Sequence, residues 1–212
     1  MLQFSASDFQ SWDRFYRANF INCLSGFKPV SLIGSVNRKG ITNLGVFSNI
    51  VHVGADPALV GYINRPRAAA PHTLSNIESV GVYTINHIHT AFLEKAHQAS
   101  AKYPDDVSEF DAVGLTPQFI EGVAAPFVKE SRVKFSLTLQ DVIPIHLNST
   151  FLVIGRIEQV LLEDALLQPD GFLRIDVAGS VNSNGLDAYY SNQLLARYSY
   201  AKPDKPLDCL DS

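Results

Sequence analysis

The chain has 212 residues, 46% of them apolar and 18% charged, so it can bury a sizeable core and lies outside the composition of disordered chains. Its 17 Lys and Arg are scattered among 21 Asp and Glu, a balance that lacks the basic clustering a nucleic-acid surface requires, so no nucleic acid is expected as a partner. No apolar run approaches the roughly 18 residues of a spanning helix and no basic segment precedes an apolar one at the N-terminus, so no membrane association and a cytoplasmic location are expected.

The pattern predicts one domain over residues 24–200, with a helical extension at 1–23 and a tail at 201–212. In the extension, Ser7 and Gln10 make a capping box, and Phe9, Trp12, Tyr16 and Phe20 follow at helical spacing as a core-type stripe. Cys23 and Cys209 stand at opposite ends of the chain, too few and too far apart for disulfide stapling.

After Gly26 the period changes. Residues 30–36 and 42–47 read as strands joined by a turn at Asn37-Arg38-Lys39-Gly40, a hairpin. Further strands are predicted at 58–63, 80–86, 132–142 and 151–162, and helices at 73–79 and 90–101, the second ending before Pro104. Strands that do not alternate with crossover helices favour an antiparallel sheet, so the fold class is mainly β with peripheral helices, closed into a barrel.

Neither a Gly-x-Gly-x-x-Gly nor a phosphate-cradling loop with Gly-Lys is present. His87 and His89 would share a strand face, but no Cys or carboxylate stands at ligand spacing beside them, so no metal is expected. Ser149 and Ser180 lack the Gly-x-Ser-x-Gly elbow of a hydrolase.

An ordered set of motifs remains. It comprises Pro29-Val30-Ser31-Leu32-Ile33-Gly34-Ser35-Val36, Thr42-Asn43-Leu44-Gly45-Val46-Phe47-Ser48-Asn49, Asp56-Pro57-Ala58-Leu59-Val60-Gly61 and Thr73-Leu74-Ser75-Asn76-Ile77. Val82-Tyr83-Thr84-Ile85-Asn86, Glu109-Phe110, Gly114-Leu115-Thr116-Pro117, Asn148-Ser149-Thr150 and Val153-Ile154-Gly155-Arg156-Ile157 follow. In this order they resemble the flavin reductase-like family with its FMN-binding split β-barrel, in the flavoredoxin-like branch.

The resemblance implies FMN as cofactor and a homodimer in which the second subunit completes the flavin pocket. It implies that Asn43, Leu44, Gly45 and Val46 run along the flavin ring, that Ser48 and Asn49 contact the phosphate, and that Arg65, Thr73 and His72 complete the phosphate site. Arg197, near the end of the matched region, is the implied polar residue beside the ligand. The implied activity is an oxidoreductase that passes hydride from NADH or NADPH to the flavin, with electrons going on to free flavin, a partner protein or a small acceptor. The flavin carries that chemistry, and no catalytic side chain is required. The alternatives are a non-enzymatic FMN electron carrier or flavin-storage protein, and then a pyridoxamine-phosphate oxidase, whose basic substrate residues are missing.

The sequence also departs from the family pattern. Phe27-Lys28-Pro29 stands where Pro-Arg-Pro is common, so an arginine contact there is either replaced by Lys28 or absent. Ser149 and Thr150 occupy the positions of an Asp-His pair that helps bind nicotinamide nucleotide, His146 is out of register, and Pro71-His72-Thr73 lacks a lysine seen in relatives.

Overall fold

The computed structural model of the chain describes residues 1–211; Ser212, the last residue of the predicted tail, lies outside them. Two helices open the chain, α1 (Ala6–Ser11) and α2 (Arg14–Leu24), where one was predicted. The break falls at Asp13, whose carboxylate accepts from the N–H groups of Phe15 and Tyr16 and so caps a fresh start. The first cap also lies earlier than Ser7 and Gln10: Asp8 accepts from both the N–H and the Oγ of Ser5, each at 2.6 Å. The aromatic stripe packs on itself, with Trp12 edge-on to Phe4, Tyr16 and Phe20, and neither helix contributes a buried residue.

A short strand β1 (Lys28–Pro29) leads into β2 (Ser31–Val36), β3 (Thr42–Phe47), β4 (Ile50–Ala55) and β5 (Ala58–Asn64). The β2–β3 turn forms as predicted, because Asn37 Oδ1 accepts from the N–H groups of Lys39 and Ile41 while Gly40 takes a φ of 82°. Helix α3 (His72–Val80) follows and ends at Gly81, which takes a φ of 81° and turns the chain into β6 (Val82–His87). Next come α4 (Leu93–Gln98), α5 (Glu109–Val113) and the hairpin β7 (Pro117–Ile120) with β8 (Val123–Val128). The long hairpin β9 (Val133–Ile145) and β10 (Thr150–Leu162) precedes β11 (Val181–Asn184), which pairs with β1 and with β12 (Ala188–Ser191). Within the tail the chain folds back, and β14 (Cys209–Asp211) pairs with β13 (Arg197–Tyr198).

The main sheet has seven strands in the order β3-β2-β6-β9-β10-β5-β4, every neighbouring pair antiparallel. Its curled interior holds Ile33, Tyr62, Leu74, Ile77, Tyr83, Leu137 and Val153, all fully buried, so α3 packs into the barrel rather than beside it. Each such side chain contributes about 1.5–3 kcal/mol by leaving water. The other face of β2 carries Leu32, which packs with Leu44, Ile88, Phe110 and Val128 under α4, α5 and β8, and all six residues of β2 are buried in consequence.

β8 is fixed to that face by polar groups. Thr84 Oγ1 donates to the Pro126 carbonyl at 2.6 Å, and Asn86 accepts from the Val128 N–H at 2.9 Å while donating to Leu32 O. Gly34, paired with Thr84, makes room for this crossing: a Cβ there would run into the Pro126 carbonyl and stand 2.6 Å from Thr84 Oγ1. Gly34→Ala is therefore expected to destabilise the fold by at least about 1–3 kcal/mol, read as a lower urea midpoint with an unchanged slope. An unshifted midpoint would show that β8 can slide without loss.

Candidate functional site

β3 and β4 are joined only through Ser48 and Asn49, yet they lie at opposite edges of the sheet. Asn49 enforces this. Its Nδ2 donates to Ile63 O at 2.9 Å and its Oδ1 accepts from the Ile63 N–H at 3.2 Å, which commits the chain leaving β3 to run against β5. The outer edge of β3 is left without a strand, and beside it opens a groove of about 410 Å3, inside the ordinary range for small-molecule sites. Residues 43–49 form one wall, with Arg65, residues 68–73, residues 99–103, Asp105 and Glu109 around it.

Every predicted site residue except Arg197 lines this groove: Asn43, Leu44, Gly45, Val46, Ser48, Asn49, Arg65, His72 and Thr73. Their individual roles differ from a uniform row of donors. Backbone groups alternate along an edge strand, and the Leu44 N–H points away from β2, where it donates to Glu109 Oε2 at 2.9 Å. By the same alternation Asn43 and Gly45 turn their N–H groups to β2, and Val46 turns its own outward, so Val46 is the backbone donor that β3 offers to a ligand. Asn49 spends its side chain on Ile63, which leaves Ser48 as the polar side chain of that corner.

Gly45 and Thr73 bring α3 against the strand. A Cβ on Gly45 would stand 2.9 Å from Thr73 Oγ1 and 2.8 Å from the Phe47 ring, so only glycine lets the helix start come this close. Thr73 Oγ1 accepts from Asn43 Nδ2 at 3.0 Å, and its own proton stays available to a ligand. His72 Nε2 lies 2.8 Å from Asp105 Oδ1, a contact that ties α3 to the segment between α4 and α5.

Glu109, on the first turn of α5, is the residue that sequence reasoning misses. It is 6% exposed and lines the groove, and burial pushes its carboxyl above the ordinary value, against the opposing pull of the Leu44 N–H and His72. Glu109-Phe110 stands among the motifs of the family resemblance, but its place in the site could not be read from spacing, because its partner lies 65 residues away. Lys102 and Tyr103 join the lining for the same reason, through a tertiary approach of the segment after α4.

Arg197 is elsewhere in the chain. Its guanidinium stacks on Phe172, 3.9 Å from the ring centroid, and pairs with Asp170. Lys28 is also engaged away from the groove, donating to the carbonyls of Asn22 and Gly185. Ser149 and Thr150 sit at the β9–β10 turn, where Ser149 takes a φ of 59° and Thr150 bonds Asn148.

The paired histidines are occupied locally. His89 Nδ1 accepts from the Ala91 N–H at 2.9 Å, and His87 Nδ1 meets Ser180 Oγ at 3.1 Å. Burial pushes His87 down to about 4, so between its ordinary value of 6.5 and about 4 the unfolded chain binds a proton that the folded chain refuses. Stability is therefore expected to fall as the pH drops through that window. His87→Gln, which keeps a partner for Ser180 and cannot titrate, should flatten the melting temperature against pH, and an unchanged profile would assign the acid sensitivity to other groups.

Comparison with known proteins supplies the class. The chain belongs to the family of the flavin reductase like domain, whose model matches residues 27–176. A protein with a split barrel domain from Shewanella frigidimarina NCIMB 400 is 45% identical with a TM-score of 0.92, over 95% of this chain and 100% of that one. Nitrilotriacetate monooxygenase component B from Bacillus cereus has the same fold at 20% identity, with a TM-score of 0.81 over 92% of this chain and 97% of its own. Flavoredoxin of Desulfovibrio vulgaris (Miyazaki F) does so at 24% identity, with a TM-score of 0.70 over 84% and 92%. The seven-stranded sheet with β3 and β4 at its two edges is thus the split barrel of this family.

Proposed function

We propose that the groove beside β3 binds FMN and that the chain is a flavin reductase which takes hydride from NADH or NADPH and passes electrons to an acceptor. The residues suit that group. Gly45 lets the helix start and its Thr73 hydroxyl come against the strand, Val46 turns its N–H outward toward a polar ring edge, and the hydroxyls of Ser48 and Thr73 face the same space. Arg65 and Lys102 bring two fixed positive charges to the lining, as a phosphate requires. When bound, the flavin supplies the hydride-accepting ring; the chain orients it, screens it from water and sets the charge around it.

The observation that carries this reading is the unpaired outer edge of β3, with a helix start held against it at Gly45. Purified protein is expected to take up FMN at micromolar concentration and to lose its yellow colour within the mixing time of a stopped-flow instrument when NADH or NADPH is added. FMN uptake without bleaching by either nucleotide would favour the electron carrier, a reading that Ser149 and Thr150 support by replacing the nucleotide-binding pair. Failure to take up FMN at all would overturn both. Acceptors to test are free FMN and an oxygenase, the latter suggested by the name of the monooxygenase component that shares the fold.

We propose in addition that the chain pairs as a homodimer through the sheet's outer face. Tyr62 and Val153 point into the core, so by alternation Gly61, Ile63, Leu152 and Ile154 point out. Val51 and Val53 on β4 and Ile143 on β9 extend that apolar face, at 45%, 43% and 41% exposure. Ile63 also lines the groove, so a second copy seated on this face would wall the flavin site. Val53→Asp is expected to give monomers by light scattering and to weaken FMN binding at least tenfold. A dimer that survives the substitution would move the interface elsewhere.

A further inference from the structure

The buried acid of the groove has a use that the reductase reading leaves open. Glu109 Oε2 accepts the Leu44 N–H at 2.9 Å, on the strand that forms the wall for the ring, and the residue is 6% exposed. Its surroundings do not neutralise it. From β3 it meets a backbone N–H, and from α3 His72, which is itself engaged by Asp105 at 2.8 Å. Arg65 and Lys102 line the same groove, both on exposed side chains whose charges water screens, and Asp111 on its own helix is exposed to solvent. No salt bridge holds Glu109 among the described residues.

We propose that Glu109 is a positioning and charge-setting residue for the flavin: its carboxylate lowers the reduction potential of the ring and takes up a proton when the ring is reduced. This rests on the flavin reading of the groove. A ring that receives a hydride gains two electrons and one proton and carries a new negative charge at its N1 edge. In a desolvated groove that charge and a carboxylate on the adjoining wall repel each other far more than in water. The repulsion is relieved when Glu109 accepts one proton from solvent through the open groove, so the balance is two electrons and one proton to the ring and one proton to the carboxyl oxygen. Burial acts in the same direction, holding this acid above the ordinary carboxyl value.

The test uses FMN-loaded full-length protein and Glu109→Gln, whose amide oxygen still accepts the Leu44 N–H while the charge is gone. Asp111→Asn, an exposed acid on the same helix, is the control. Equilibration with redox dyes across a pH series is expected to give E109Q a higher potential, by about 30 mV for each tenfold gain in preference for reduced over oxidised FMN, with at least one such step. Oxidised FMN should bind E109Q within about twofold of the parent, and the fall of potential with pH should be shallower in the variant than in the parent or D111N. A potential and slope equal to the parent's would overturn the assignment. Should E109Q not fold, the parent alone decides: its reduced-minus-oxidised infrared difference spectrum is expected to gain a carboxylic-acid C=O band that shifts with carboxyl-labelled glutamate, and absence of the band overturns the proposal. Parent protein that binds no FMN would instead refute the flavin reading, and this inference with it.

Discussion

An edge strand carries backbone groups that must be satisfied or left to water, and the outer edge of β3 is where this molecule leaves them open. The cause is a single amide. By holding both backbone groups of Ile63, Asn49 diverts the chain to β5 when the simplest continuation would be a hairpin back along β3. An open edge is a hazard that is usually covered or charged. Here it is covered on one side by α3, which comes close because Gly45 has no side chain, and on the other by α5, whose Glu109 takes the Leu44 N–H. A buried N–H left unpaired would cost about 1–3 kcal/mol, so the acid relieves one strain while introducing the cost of its own burial. The groove is the part of the edge that neither cover reaches.

Much of this was legible in the sequence wherever structure follows local pattern. The β2–β3 hairpin is written in Asn37 and Gly40, and the fold class in the ordered motifs from Pro29 to Ile157. Asn43, Leu44, Gly45, Val46, Ser48 and Asn49, which line the groove, were named through the family resemblance and not through local pattern. What escaped depends on contacts between distant segments. β4 was not predicted because Ile50 to Ala55 has no Gly or Pro ahead of it, and Val51, His52 and Val53 are exposed on both faces of an edge strand, so no alternation marks it. Ser7 and Gln10 were a plausible cap, but the chain found a better one in Asp8, which reaches two donors of Ser5 at once. The N-terminal aromatics have the period of a core stripe and form a cluster of their own, because period reports which residues share a face and not what covers it. Arg197 illustrates the same limit, drawn to Phe172 and Asp170 by contacts that sequence spacing does not encode.

On the proposed flavin reading, the charges in the groove would accommodate an anion although Pro71-His72-Thr73 lacks a lysine. Five ionisable side chains matter: Arg65, His72 and Lys102 against Asp105 and Glu109. His72 is already engaged, but its partner Asp105 has 93% of its side chain exposed, so the phosphate of the proposed FMN would displace a carboxylate that water readily accepts. Glu109 is the opposite case, buried and bonded to β3, and it cannot leave without exposing the Leu44 N–H. The negative charge that yields therefore lies at the helix start, beside the hydroxyl of Thr73, and the one that stays lies along the strand. A ligand with a mobile dianion at one end and a polar ring at the other matches that division, whereas a ligand with its negative charge in the flat part would meet Glu109 throughout.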